Sequence, residues 1–510
     1  MDPQLLGIDI GGSMTKAAVF DTSGRLLAEA SARSLIVADT PGHAERDPEA
    51  IWTSAVQSIR QVLGHPAVIP EAVAGIGVTG FGNGLFMVDA DGRPTRPGIA
   101  SLDSRAAGIV GEWRAAGLED LMWDATLQPF WSGQPLPLLE WVRRHDPDAL
   151  DRARRILACK DILRLRLTGS GWNDRTDLGS GGLFNPLVGR PAYELFEAIG
   201  LGQVGELLPE DGVAKPAQLV GVLAKEAAEA TGLPIGVPVV AGATDNLSAL
   251  LGSGVTEAGG LSVIGGTWSI NQALSSAHVT DRSVFQSFGS HRDDLQVLVE
   301  SSPNSMSNFD WFVRNFVGSA GRSAASLYAQ CDERLLAQES AAGDAVTFLP
   351  HLYGSPRHPL RTAAVFGLTA DVGANQVLRA VYEGIVFEHR TLIERLPGVA
   401  AGAPARVAGG VLRSPAWLQL FADVLDRAVE TPDTEEVGAR GAAMIAAVGT
   451  GLYPDYPTAS AHMTRIAATY LPRPWRVDQL AERYQRYRVL RELTASLLSS
   501  PPSKPVPGAT

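Results

Sequence analysis

Three short segments of this 510-residue chain combine glycines, hydroxyls and acids in patterns suited to chemistry on a phosphate group. The first is Asp9-Ile10-Gly11-Gly12-Ser13-Met14-Thr15-Lys16. Glycines at a strand-to-strand turn let backbone N–H groups approach an anion, Ser13 and Thr15 add hydroxyl donors, and Lys16 adds positive charge. Phosphate is the anion that suits them. Asp9 ends an apolar run, where an unpartnered carboxylate is costly to bury; a hydrated Mg²⁺ carried by phosphates would be its partner. A plain Gly-Gly hairpin with Asp9 capping the turn is equally open. The segment is neither a P-loop nor a dinucleotide fingerprint, since G-x-x-x-x-G-K-[ST] is absent and no helix follows the glycines.

The second segment, Gly242-Ala243-Thr244-Asp245-Asn246, follows the apolar run 237–241 and precedes a small-residue helical stretch from Leu247. An acid at the end of a buried strand can accept a proton from a substrate hydroxyl, which makes Asp245 the candidate general base. The competing role is helix capping, for which aspartate in this position is well suited. The third segment, Ala408-Gly409-Gly410-Val411-Leu412-Arg413-Ser414-Pro415, is a strand, a Gly-Gly turn and a helix start with Ser414 as cap and Pro415 at its first position. A turn without side chains lets a flat base lie against backbone, so adenine or ribose suits it. A tight strand-to-helix turn is the alternative.

The elements that must position these residues follow from periodicity. Residues 5–10, 14–20 and 25–32 are β-prone runs separated by turn residues, which predicts an opening antiparallel meander. Asp47-Pro48 starts a helix whose Ile51, Ala55, Ile59, Val62 and Leu63 line one face. Strands at 75–79 and 84–89 follow, then helical periodicity at 104–114, 136–144 and 151–167, giving an α/β layered domain. Near residue 255 the pattern restarts. Ile264-Gly265-Gly266-Thr267 repeats Ile10-Gly11-Gly12-Ser13, which predicts an internally duplicated fold with a cleft between the copies. Helices are expected at 373–395, 415–428 and 438–448, and a disordered Pro/Ser tail from 499.

Composition bounds the partners. With 43 Lys plus Arg against 55 Asp plus Glu, the net charge is -12, which argues against a phosphate-tracking nucleic-acid surface. Cys159 and Cys331 are the two cysteines, too few for a disulfide framework or a cysteine metal site. No membrane association is expected, and a cytoplasmic location is. Small ligands are the default partners; a homodimer is one assembly open to the chain.

Taken together, the segments resemble the FGGY family of carbohydrate kinases, within the sugar kinase, heat-shock-chaperone and actin superfamily. LGIDIGGSMTKAAVFD, GHAERDPEAIW, GIGVTGFGNGLFMVD, SLDSRA, KDILRLRLTG, AGATDNLSA, GGTWS, EGIVFEHR, GGVLRSPAWLQLFADVL and EEVGARGAAMIAAVGTGLY carry the resemblance in the family's order. It implies two duplicated ribonuclease H-like (actin-like ATPase) domains, each a mixed sheet flanked by helices. The first would span 1–253 and the second 254–490, with 491–510 holding the end of the last helix and the tail. It also implies ATP and Mg²⁺, with Asp245 as base and Asp9 as the acid that helps organise the metal. Gly11, Gly12, Ser13, Thr15 and Lys16 match one phosphate loop, and Gly265, Gly266 and Thr267 the other. Gly409, Gly410 and Ser414 match the adenosine motif. Asp103 and Arg105 match the D-x-R element beside the sugar, and Asn83, Trp131, Asp245 and Asn246 complete the expected sugar contacts. Thr176-Asp177 falls in a segment taken as structural.

Departures from the pattern bear on substrate. Where D-xylulose kinases of the family read roughly Q-M-H-G, this chain has Phe81-Gly82-Asn83-Gly84; where glycerol kinases carry an Arg-Glu pair and a Trp, it has Asn83 and Ser101. SLDSRA, PFWSGQPLPLLEW and SSPNSMSNFDWF look like the branch holding L-xylulose and 3-keto-L-gulonate kinases, with erythritol kinases nearby. A non-catalytic ATP-dependent sugar sensor is the reading from another class.

Overall fold

A computed structural model describes residues 1–318, 323–337, 346–354 and 362–499. Of the tail expected from 499, residues 500–510 lie outside them. Two compact units are present, one of residues 1–259, 273–298 and 436–465, the other of 260–272, 299–435 and 466–499. Among the described residues no helix is long and apolar enough to cross a membrane.

The first unit opens with the expected meander. Strand Gln4–Ile10 pairs antiparallel with Met14–Asp21, which pairs antiparallel with Leu26–Arg33. On its other side Gln4–Ile10 lies parallel to Val73–Gly80, then Pro238–Val240 runs parallel and Leu219–Val222 closes the edge antiparallel. Helix Pro48–Leu63 begins as expected: Asp47 accepts the Glu49 N–H at 2.9 Å, Pro48 has no N–H that needs an acceptor, and Ile51, Ala55, Ile59 and Val62 are buried.

The helix expected at 151–167 is interrupted. Residues Arg155–Leu157 form a strand paired with Phe86–Val88, and the helix restarts at Cys159–Thr168. The two strands separate two cores. Leu157, Phe86 and Val88 pack with the main sheet, whereas Ile156 and Met87 pack with Trp113, Phe130, Leu139 and Phe196. Alternation into two cores is a strand property that helical spacing in the sequence concealed.

Helix Val437–Gly449 packs against Gln4–Ile10, Val73–Gly80 and helix Asp245–Gly252, all within the first unit. It sits on bare backbone: a Cβ added at Gly77 would lie 1.9 Å from the Ala442 carbonyl oxygen, and one at Gly7 1.9 Å from that of Ala439. We expect Gly77→Ala to lift the helix from the sheet at a cost of about 1–3 kcal/mol, the usual range for overpacking. A lower midpoint in urea at unchanged slope checks it, and an unchanged midpoint contradicts the packing.

The second unit has a comparable arrangement. Within it Leu261–Gly265, Ala405–Ala408, Val429–Pro432 and Ile466–Tyr470 lie side by side in that order. Leu261–Gly265 is parallel to Ala405–Ala408, the next pair is parallel and the last antiparallel, as in the first sheet. Helices Ala374–Ile393, Pro415–Leu425 and Pro474–Ser499 belong to this unit, with the shorter Met306–Phe312 and Ala324–Leu336. The internal duplication expected from the repeated Gly-Gly motif is therefore present in the topology.

Candidate active site

Parallel register brings the two candidate acids to one end of the first sheet. Asp9 lies opposite Thr79, and Thr79 opposite Ala243, so Asp245 follows two residues beyond that row. Both side chains are half-buried. Burial is the main reason that the Asp245 pKa rises to about 6, against a lowering by the Asn246 N–H, which donates to Oδ1 at 2.7 Å. Burial also raises Asp9, to about 7; the Asp245 and Glu436 charges add to the rise and Lys16 opposes it.

Asp245 does not cap the helix. The helix spans Asp245–Gly252, and Thr244 is its cap, accepting the Leu247 N–H at 3.2 Å. The spacing leaves capping and proton transfer competing for one carboxylate; in the structure Thr244 takes the capping role. Asn246 sits at the second helical position, half-buried.

The first glycine turn is exposed at Gly12 and Ser13, and a Cβ at Gly12 would meet nothing within 4 Å. The turn is closed by the Gly11 N–H donating to the Met14 carbonyl at 2.9 Å, and buried Arg46 donates to the Gly11 carbonyl at 2.9 Å. Thr15 is buried with its hydroxyl 2.8 Å from Ser54, directed at helix Pro48–Leu63 by strand alternation. Lys16 pairs with Glu436 at 2.6 Å. Burial works against its charge, but the Glu436 hydrogen bond and the nearby acids outweigh that and raise its pKa.

Sequence reasoning missed three of these neighbours: Arg46, Glu436 and Gly438. A Cβ at Gly438 would stand 2.3 Å from Asp9 Oδ2, so the start of helix Val437–Gly449 closes directly over the carboxylate. The run of small residues GARGAAMIAAVG was the available signal, since such a face permits close backbone approach.

In the second unit, register sets Gly265 beside Gly409, because Ile264 pairs with Ala408. Gly266 donates to the Trp268 carbonyl at 3.2 Å and accepts from the Met306 N–H at 3.0 Å, and Thr267 is exposed. Gly409 adopts φ +91°, a conformation glycine favours, and a short 3₁₀ turn over Gly410–Arg413 leads to Ser414, which caps helix Pro415–Leu425 through the Trp417 N–H at 3.2 Å. The expected cap is present.

Around the expected sugar contacts, Asn83 has φ 67° and a buried Oδ1, and Trp131 a buried Nε1; among the described residues neither atom has a hydrogen-bond partner. The Gly84 N–H donates to the Gly133 carbonyl at 2.8 Å, tying the two loops together. Asp103 and Arg105 are bonded to each other. Asp103 Oδ2 accepts the Ala44 N–H at 2.6 Å and pairs with Arg105, which also reaches Glu45 at 2.8 Å and lies over Trp141 at 4.8 Å. They fasten residues 44–45 to the 103–105 loop.

The donor set bears on the metal. Among the described residues no group of three or more His, Cys, Asp or Glu side chains could cage a cation. A single acid with its pKa raised by burial fits Mg²⁺ that arrives largely hydrated and phosphate-bound, which needs one or two carboxylates.

Descriptions of the two domains of the FGGY family of carbohydrate kinases match residues 4–252 and 261–450. The chain belongs to that family. This FGGY kinase is a phosphotransferase acting on a sugar hydroxyl, with ATP as the family's expected donor. It is 31% identical over 490 residues to the L-xylulose/3-keto-L-gulonate kinase of Escherichia coli (strain K12), covering 95% of this chain and 96% of that one. The erythritol kinase of Brucella abortus (strain 2308) is 28% identical, with 96% and 95% covered. The crystal structure of xylulose kinase from Rhodospirillum rubrum shares its fold, with TM-score 0.87, 24% identity and coverage of 98% and 100%.

Proposed function

We propose that this FGGY kinase transfers the γ-phosphoryl group of ATP to a hydroxyl of L-xylulose or a related ketopentose or keto-sugar acid, with Asp245 as the general base. The observation that carries the reading is an uncapped carboxylate at a strand end, with its pKa raised to about 6. Phosphoryl transfer asks a protein mainly to align the hydroxyl, screen phosphate oxygens and take up the proton late. Asp245 orients the hydroxyl and accepts its proton. The backbone N–H groups at Gly11-Gly12 and Gly265-Gly266, with the hydroxyls of Ser13 and Thr267, serve the phosphates; Lys16, held by Glu436, contributes charge, and Thr15 anchors its strand on Ser54. Gly409, Gly410 and Ser414 serve the adenosine. Mg²⁺ would neutralise phosphate charge when bound, with Asp9 as its protein partner.

The unpartnered Asn83 Oδ1 and Trp131 Nε1 are suited to sugar hydroxyls, Asn246 adjoins the base, and the paired Asp103 and Arg105 supply the D-x-R element of the sugar site. The name of the Escherichia coli relative at 31% identity supports the L-xylulose branch. The test is ADP release over L-xylulose, 3-keto-L-gulonate, L-ribulose, D-ribulose, D-xylulose, erythritol and glycerol. Preference for L-xylulose or 3-keto-L-gulonate is expected. Preference for erythritol would move the substrate to the polyol class, and ATP binding without ADP release would reject catalysis.

Activity should rise with pH through an ascending limb near 6–7, the range set by the raised Asp245 and Asp9 carboxyls, because the base works only when ionised. An ordinary aspartate would place that limb near 4. The pH profile of kcat/KM decides between them.

A further inference from the structure

The backbone that presents Asp245 is held from three sides by side chains that take no part in the transfer itself. Arg164 donates to the Ala241 carbonyl, and the Thr79 hydroxyl donates to the Ala243 carbonyl at 2.8 Å. The third hold is the buried Thr176 hydroxyl, which accepts the Thr244 N–H at 3.1 Å. Thr176 gives its own proton to Asp174 Oδ2 at 2.6 Å. Asp174 is fixed in turn: it caps helix Arg175–Ser180 by accepting the Thr176 and Asp177 N–H groups at 3.2 and 3.0 Å, and Lys160 Nζ stands 3.5 Å from its Oδ2.

The direction of this chain is therefore determined. A carboxylate can only accept, so the Thr176 proton points at Asp174 and a hydroxyl lone pair remains for Thr244. Linked bonds of this kind polarise one another in the interior. Thr244 is the residue whose own hydroxyl caps the next helix, so the carboxylate of Asp245 is left out of that role. Fixing the Thr244 N–H, with the Thr79 hydroxyl on the Ala243 carbonyl, thus fixes from both edges the peptide unit that joins Ala243 to Thr244, one unit ahead of the base.

We infer that Thr176, oriented by Asp174, is a positioning residue for phosphoryl transfer, setting the aim of the Asp245 carboxylate through the Thr244 N–H. The inference rests on Asp245 being the base, and its test separates the two claims. Valine keeps the shape of Thr176 but neither donates nor accepts; serine keeps the hydroxyl. Thr176→Val should lower kcat about 10- to 100-fold, the scale of a small misplacement of a reacting group, while the affinity for ATP stays within twofold. Thr176→Ser should stay within threefold of the unsubstituted enzyme. Hydrogen exchange of the peptide carrying residues 241–250 should speed up in Thr176→Val and not in Thr176→Ser.

A Thr176→Val enzyme with unchanged kcat, a Thr176→Ser enzyme as slow as Thr176→Val, or exchange at Thr244 unaffected by valine would each overturn the inference. Should Thr176→Val fail to fold, Asp174→Asn carries the same test: a smaller, kcat-selective fall supports the inference and an unchanged kcat rejects it. Asp245→Asn is measured alongside. If that variant turns over normally, the base assignment fails, while the exchange rates still report whether Thr176 holds the Thr244 N–H.

Discussion

Asp245→Asn is expected to lower kcat by about 10²- to 10⁴-fold, the usual scale for removal of a general base, while ATP affinity stays within a few-fold. The amide preserves the size of the side chain at the head of helix Asp245–Gly252 but cannot take up a proton. Because Thr244 supplies the cap, the substitution leaves the helix start intact. Stability should therefore hardly change, and the loss of rate is not attributable to unfolding. The ascending limb of the pH profile should also lose the component near 6 that belongs to this carboxyl. Single-turnover kinetics with equilibrium nucleotide titration check the prediction, and near-normal turnover would remove Asp245 from its role.

Lys160→Met is expected to be the most damaging change to stability. The ammonium is buried at 2.6 Å from Asp161, 3.0 Å from Asp177 and 3.5 Å from Asp174. Burial alone would lower its pKa; the three acids more than reverse this and hold it charged. Methionine fills similar volume but leaves the acids without that countercharge, a loss of about 3–5 kcal/mol for breaking a buried ion pair. Arg164 still reaches Asp161 at 2.8 Å, and the Asp174 cap survives, so Asp177 bears most of the cost. Burial already raises the Asp177 pKa strongly, and losing Lys160 raises it further. A carboxyl with its folded pKa above its unfolded pKa binds more protons in the folded state, so stability falls as pH rises through that interval. The deficit in Lys160→Met should accordingly be smaller at pH 5 than at pH 8. Urea midpoints at the two pH values measure it, and an equal deficit at both would contradict the assignment to Asp177.

Elements with strong local signals were legible in the sequence. Asp47-Pro48 and Ser414-Pro415 start helices where their residue types require, and the hairpin through Gly11-Gly12 forms between runs whose alternation permits one register. The repeat of Ile-Gly-Gly signalled two sheets, each with the motif's strand parallel to a later one at its centre. Features set by distant sequence were hidden. Strand Arg155–Leu157 exists because Ile156 and Leu157 face different cores, which no local window reveals. The Lys16 pairing to Glu436 and the closure of Gly438 over Asp9 join residues more than 400 positions apart. Asp174 and Thr176 are local neighbours, but Lys160 and Thr244 stand on distant segments, and only the folded chain brings them to that pair.

Seating helix Val437–Gly449 on Gly7 and Gly77 has a bearing on biosynthesis. The floor it covers leaves the ribosome early, but the helix emerges only after the intervening residues have been translated. At ordinary elongation rates that interval is on the order of tens of seconds. Throughout it, the nascent first unit must carry an uncovered apolar sheet, a window in which chaperone engagement and premature termination would have their greatest effect on yield.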